Sequence, residues 1–288
     1  MAEFTTASYV ITVVAMFVLL IVMWAVLKDR KDSTKKTVLL VLAWLNFALH
    51  FLKILLPKYY GSWPYSLFNL SFDNLCSVNT MLLPFAFMSK KQGFKDCVMM
   101  MAFVGGLGAV FYAHDMFNAT IYIVEGIRYY FCHYCLFLLP LVALLIHVYK
   151  PSFKSFWKLP LFVLFEMAII FFNNAWMSEI GLLKMRVNLG DRDYVNSAFV
   201  YGPYFYRNEE VLGFIDIFVP KFFKTIPEGF TYYDTLRGFY DNGGITHYWP
   251  VAWAICPLIV YVYPLSFLIY MGLDFKGFKQ FFRIKNRS

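Results

Sequence analysis

Long apolar runs separated by short polar links set the pattern of this chain. Seven of them, at 8–27, 37–56, 67–88, 96–113, 127–148, 157–173 and 250–272, approach the roughly 20 residues that a helical bilayer crossing needs. Each run is continuous and does not alternate with period two, which excludes a membrane β-barrel. The pattern predicts an all-α, polytopic membrane protein with seven transmembrane helices. The third run is the most polar of the seven and the sixth the shortest.

Between the sixth and seventh runs lies a long segment, 176–249, with mixed charges, many aromatics and turn signals at Gly202-Pro203 and Asn242-Gly243-Gly244. Three regions follow: 1–175 with six helices, 176–249 as an extracytoplasmic loop or cap, and 250–288 with the last helix and a basic tail. Inside the loop, the apolar run 211–219 is too short to span and stops at Pro220. It reads as an interfacial amphipathic helix on the outer leaflet, or as part of a small folded cap.

Composition agrees with lipid as the solvent. Hydrophobic residues make up 60% and charged residues only 15%, where a soluble domain carries about 25% charged. The net charge of +8 is explained by topology. Lys28, Arg30, Lys31, Lys35 and Lys36 follow the first run; Lys90, Lys91 and Lys95 the third; Lys150, Lys154 and Lys158 the fifth; Lys276, Lys279, Arg283, Lys285 and Arg287 the seventh. On the other side, the second loop has Lys58 alone, and the fourth has Asp115 and Glu125 with no cation. The positive-inside rule then places the N-terminus outside and the C-terminus in the cytoplasm. The basic face meets anionic lipid, and nucleic acid is not called for. Glu3 precedes the first run without a basic stretch, so that run reads as an uncleaved helix. Oligomeric state is not legible.

Polar groups inside the hydrocarbon region should face the bundle interior. The third run carries Asn69, Ser71, Asp73, Asn74, Cys76, Ser77, Asn79 and Thr80. On one continuous helix, Asn69, Asp73, Cys76 and Asn79 or Thr80 would share a face. Such a stripe could bond neighbouring helices together or line a reactive cavity. His133 lies in the fifth run. Cys76 sits about nine residues from the outer end and His133 about six, a depth difference of roughly 5 Å. A thiol needs a base to become a nucleophile. His133 could serve, with Asp73 orienting the ring and Asn69, Asn74 or Asn79 donating to an oxyanion. The alternative for Cys76 is inert packing. Glu166 is an embedded carboxylate, either structural or part of the cavity. Cys132 and Cys135 form a CxxC without a second ligand pair, so neither metal nor other cofactor is expected. The five cysteines do not suggest a disulfide framework. Gly105, Gly106 and Gly108 read as close helix packing, and Asn173 and Asn174 as the cap of the sixth helix.

Several short motifs carry a resemblance. They are Leu75-Cys76-Ser77 with Ser89-Lys90, then Gly105-Gly106-Leu107-Gly108-Ala109 with Asp115. His133 with Tyr149-Lys150-Pro151 follows, then Ser155-Phe156-Trp157-Lys158 and, loosely, His247-Tyr248-Trp249-Pro250. Over about 65–175 the chain resembles the YwaF-like integral membrane proteins of bacteria, whose animal relative is a transmembrane cysteine acyltransferase of ether phospholipids. The resemblance implies a nucleophilic Cys76 with His133 as its partner. It also implies a membrane phospholipid as substrate as well as solvent, and a cell-membrane location, for this branch the bacterial plasma membrane. Two departures stand out: Asn74, where relatives often carry His or a carboxylate, and the longer outer loop.

Three functions remain distinct at this point. The first is a lipid acyltransferase or lipid-remodelling enzyme with Cys76 as nucleophile. A transporter or receptor for a small polar solute, using Asp73 and Glu166, is the second. The third is a structural component of an envelope complex.

Overall fold

The computed structural model describes residues 2–3, 6–111, 120–121, 123–182, 199–200, 202, 213–224 and 249–282. In chain order the helices are α1 (Thr6–Leu27), α2 (Asp32–Leu52), the short α3 (Pro57–Tyr60) and α4 (Ser66–Leu70), and α5 (Leu75–Met88). Then come α6 (Gln92–Phe111), α7 (Ile123–Leu145), α8 (Lys158–Glu179), the single turn α9 (Gly213–Asp216), α10 (Ala252–Leu273) and α11 (Phe275–Phe281). A two-residue antiparallel pairing joins β1 (Ala2–Glu3) to β2 (Thr120–Ile121).

Among the described residues six helices, not seven, are long and apolar enough to cross a membrane: α1, α2, α6, α7, α8 and α10. The exception is the third predicted span. There α4 ends at Leu70, Ser71 turns extended, and α5 starts only at Leu75. With 14 residues, α5 is about 21 Å long, short of a hydrocarbon core of about 30 Å. The cause is local. The Ser71 amide and hydroxyl both donate to the Phe68 carbonyl, and Asp73 and Asn74 then lead into a new helix. Such side chains compete with the backbone ladder and favour helix ends. Asn69 and Asp73 therefore do not share a helix face with Cys76.

The sixth helix runs further than predicted. Asn173 and Asn174 lie within α8 and do not cap it: Asn173 donates to Ser71 Oγ at 2.9 Å, and Asn174 is buried. Of the 211–219 run, residues 211 and 212 lie outside the described residues. The remainder forms α9 and a following bend, with Asp216 paired to Lys224 at 2.6 Å. His114, Asp115 and most of 176–249 also fall outside the described residues.

Two compact units make up the chain: Met1–Pro57 with Cys76–Ser152, and Lys58–Leu75 with Phe153–Ser288.

The first unit is organised around α7. Met16 of α1, Val110 of α6 and Tyr130, Tyr134, Phe137 and Leu138 of α7 form one buried cluster. Phe103 stacks on Phe137 across α6 and α7 with centroids 5.0 Å apart. Phe85 of α5 meets Trp44 and Phe47 of α2 edge-on. Buried polar groups reach for backbone: Asn46 Nδ2 donates to the Cys132 carbonyl at 3.4 Å, Tyr134 OH to the Thr12 carbonyl, and Lys35 Nζ to the Ile146 carbonyl at 3.4 Å.

The end of α7 is a left-handed reversal. His147 has φ +61°, and Val148 N donates back to the Ala143 carbonyl at 2.9 Å, the 6→1 bond of a Schellman motif. Asp96 of α6 then accepts from Tyr149 OH at 2.8 Å, Ser152 N at 3.1 Å and Gln92 Nε2 at 2.7 Å. Gln92 also donates to the Lys150 carbonyl at 2.8 Å. The Tyr149-Lys150-Pro151 motif thus has a structural role as a clasp on α6.

The second unit is held by aromatic rings. Buried Phe153 touches Phe156, Phe267, Phe278, Phe281 and Phe282. Ser266 Oγ donates to the Phe156 carbonyl at 2.9 Å, and Asp274 accepts from Phe153 N at 3.0 Å.

Candidate functional site

Because α5 begins at Leu75, Cys76 sits in its first turn. The exposed N–H groups and positive dipole end of a helix favour negative charge there, which is where reactive thiols are found. In a single 67–88 helix the same thiol would have been mid-helix. Its Sγ lies 3.8 Å from the Gly105 carbonyl oxygen of α6.

The next residue along α6 does the packing. A Cβ on Gly106 would stand 2.7 Å from the His133 carbonyl oxygen, 2.6 Å from Phe137 N and 2.9 Å from Leu136 Cβ. Only glycine fits. A Cβ on Gly105 would sit 3.7 Å from the Cys76 sulfur, an ordinary contact, and one on Gly108 would meet open space. One turn of α6 is therefore approached by Cys76 from α5 at Gly105 and by the His133 backbone from α7 at Gly106.

On the imidazole, Nδ1 donates to the Tyr129 carbonyl, one turn back, at 2.8 Å. A carbonyl accepts only, so the hydrogen is on Nδ1 and the neutral ring keeps its lone pair on Nε2. That is the tautomer a base requires. The Tyr129 ring packs on the imidazole with centroids 4.2 Å apart. The Tyr129 carbonyl can fill the orienting role offered to Asp73.

A polar stripe runs along α2 to its C-cap, Lys53, and hydropathy alone does not mark it. Asn46, His50 and Lys53 fall at i, i+4 and i+7, and all three are buried, Lys53 with 7% of its surface exposed. Asn46 Oδ1 has no hydrogen-bond partner among the described residues. Facing this level of α2, Arg128 of α7 chelates Glu125 with bonds of 3.0 and 2.7 Å and lies 4.0 Å from Cys132 Sγ. Lys53 and Arg128 are both within electrostatic reach of His133. The helical spacing of the α2 polar residues was a readable signal. Arg128 stood one residue inside the predicted fifth span, and its pairing with Glu125 leaves the loop-charge count little changed.

Of the other predicted site residues, Asn79 is buried in α5 of the first unit. Asn69, Asp73 and Asn74 belong to the second unit, as does Glu166, which is fully buried in α8. Cys132 and Cys135 are buried in α7. Among the described residues no group of three or more His, Cys, Asp or Glu side chains is placed to hold a metal ion.

The model of the TMEM164 family matches residues 3–207, a stretch that takes in α1 to α8. No curated protein and no solved structure matches the chain.

Proposed function

The chain belongs to the TMEM164 family, and on that premise we propose that this multi-pass membrane protein is a cysteine-dependent lipid acyltransferase. His133 Nε2 takes the Cys76 proton. The thiolate attacks the carbonyl carbon of a phospholipid acyl ester, forming the C–S bond and a tetrahedral oxyanion. Collapse of that intermediate breaks the ester C–O bond. His133 returns the proton to the departing lysolipid oxygen, leaving an acyl thioester on Cys76. In the second half, a lysolipid hydroxyl gives its proton to Nε2 and attacks the thioester. The new ester forms, the C–S bond breaks, and the proton returns to sulfur. First-turn amides of α5 and the Asn79 side chain would serve as oxyanion donors in this scheme. Lys53 and Arg128 suit a lipid whose headgroup carries a phosphate.

The observation that carries this reading is the meeting of α5 and α7 on consecutive glycines of α6. It gives a thiol at a helix N-terminus and a base-competent tautomer within one unit. The experiment uses purified protein in nanodiscs with a labelled phospholipid donor and a lysolipid acceptor. Wild type should transfer the acyl chain and yield a thioester adduct at Cys76 by mass spectrometry. Cys76→Ala should lower transfer to background while its helix content and melting stay unchanged. Transfer by Cys76→Ala at the wild-type rate rejects the mechanism.

A second reading, proton- or cation-coupled solute transport, is favoured by one observation: Asp73 and Glu166 are both buried in the second unit. It expects Asp73→Asn to do more damage than Cys76→Ala, and solute flux into liposomes.

The proposed orientation keeps the N-terminus outside and the C-terminus cytoplasmic. It counts the α4–α5 stretch as a broken third crossing, because Lys90, Lys91 and Lys95 follow α5 while the link ahead of α4 is poor in cations.

A further inference from the structure

The last described helix is an unused surface. One residue, Asp274, separates α11 from α10, a membrane-length helix that ends at Leu273. The chain breaks at Asp274, with φ −139° and ψ 63°. Its carboxylate accepts from Gly277 N at 3.0 Å, capping α11, and from Phe153 N at 3.0 Å. A Cβ on Gly277 would overlap that carboxylate, so the elbow is built for this one arrangement. Phe278 faces inward, its ring 5.2 Å from Phe153. Phe275, Phe281 and Phe282 are each about half exposed; Phe281 and Phe282 rest one side of the ring against Phe153 and leave the rest uncovered. Lys276 is exposed, and Lys279 Nζ lies 4.8 Å over the Phe275 ring. From Phe275 to Phe281 there is no acidic residue, and Asp274 is committed to backbone amides.

Three half-exposed rings on and directly after one short helix would be costly in water. Chain continuity supplies another environment. A helix that starts where a bilayer crossing stops begins at the headgroup level. We propose that α11 is a pre-bent interfacial plate that binds an anionic bilayer surface. The uncovered sides of Phe275, Phe281 and Phe282 enter the boundary between headgroups and acyl chains, and Lys276 and Lys279 meet the lipid charges. This inference stands apart from the chemistry at Cys76, since α11 lies outside the family match.

The test is hydrogen exchange of the α11 amides in the full chain. The protein is reconstituted in nanodiscs of phosphatidylcholine alone or of phosphatidylcholine with phosphatidylserine. In the anionic discs exchange should slow roughly 5-fold for each lysine engaged, and high salt should remove most of the difference. Replacing both lysines, Lys276→Glu with Lys279→Glu, should abolish it. Equal exchange in the two wild-type preparations overturns the proposal. So does a difference that survives the double substitution, or one that tracks protein concentration as self-association would.

Discussion

The two units solve the problem of packing helices in opposite ways. In the first, backbones approach closely: Gly106 lets α7 come within contact of α6, and Asn46, Lys35 and Tyr134 bond to carbonyls of neighbouring helices. The second unit fills its space with bulk, a set of phenylalanines around Phe153. Bulk tolerates adjustment, because a ring can tilt. A glycine contact does not, because there is no side chain to move. Chemistry that depends on a fixed distance between two helices is better served by the first kind of packing. It is there that Cys76 and His133 approach one turn of α6.

Substitutions can break or sharpen this contrast. The largest effect on turnover after loss of the thiol itself is expected at the base. His133→Gln should cut acyl transfer by about 10²–10⁴-fold with little change in KM or melting, as measured by steady-state kinetics in nanodiscs. A variant near wild-type rate would detach His133 from the chemistry. In the second unit, Phe153→Ala should cost stability first, about 3–5 kcal/mol, read as a lowered Tm. The rate per folded molecule should hold. Loss of activity without loss of stability would erase the distinction between the units.

Gly106→Ala comes next, at about 1–3 kcal/mol from overpacking. Unlike Phe153→Ala it should also reduce the rate, because α7 must shift at His133. Gly108→Ala is its control: facing open space, it should be neutral or slightly stabilising, by up to about 1 kcal/mol. The smallest loss is expected at Asp274→Ala, which removes the cap of α11 and the acceptor of Phe153 N, at about 1–2 kcal/mol. Thermal melting and exchange at 275–282 would report it.

The long helices were legible because twenty continuous apolar residues have few other fates in a bilayer. The break at Ser71–Asn74 was not, because a hydropathy window averages over four residues that act individually as helix ends. Residue types alone pointed to Cys76 and His133, and also to the glycines. Their spacing did not reveal that Gly106 alone of the three is sterically required. Asn46, His50 and Lys53 were overlooked although they lie on one helical face, since each is a single polar residue in an apolar run. Which way the imidazole carries its hydrogen could not be read from sequence, as it depends on a carbonyl four residues back.

The clasp at Asp96 has one more effect. Two smooth helices can slide past each other lengthwise, and each step of sliding would bring a different residue opposite Gly106. Asp96 sits about 15 Å down α6 from that glycine and grips the strand that leaves α7 at two points, Tyr149 and Ser152. Moving α7 by one turn would take the Tyr149 and Ser152 donors from a buried carboxylate at once. The clasp works as an axial stop, setting from a distance which residue of α7 stands level with the thiol-bearing helix.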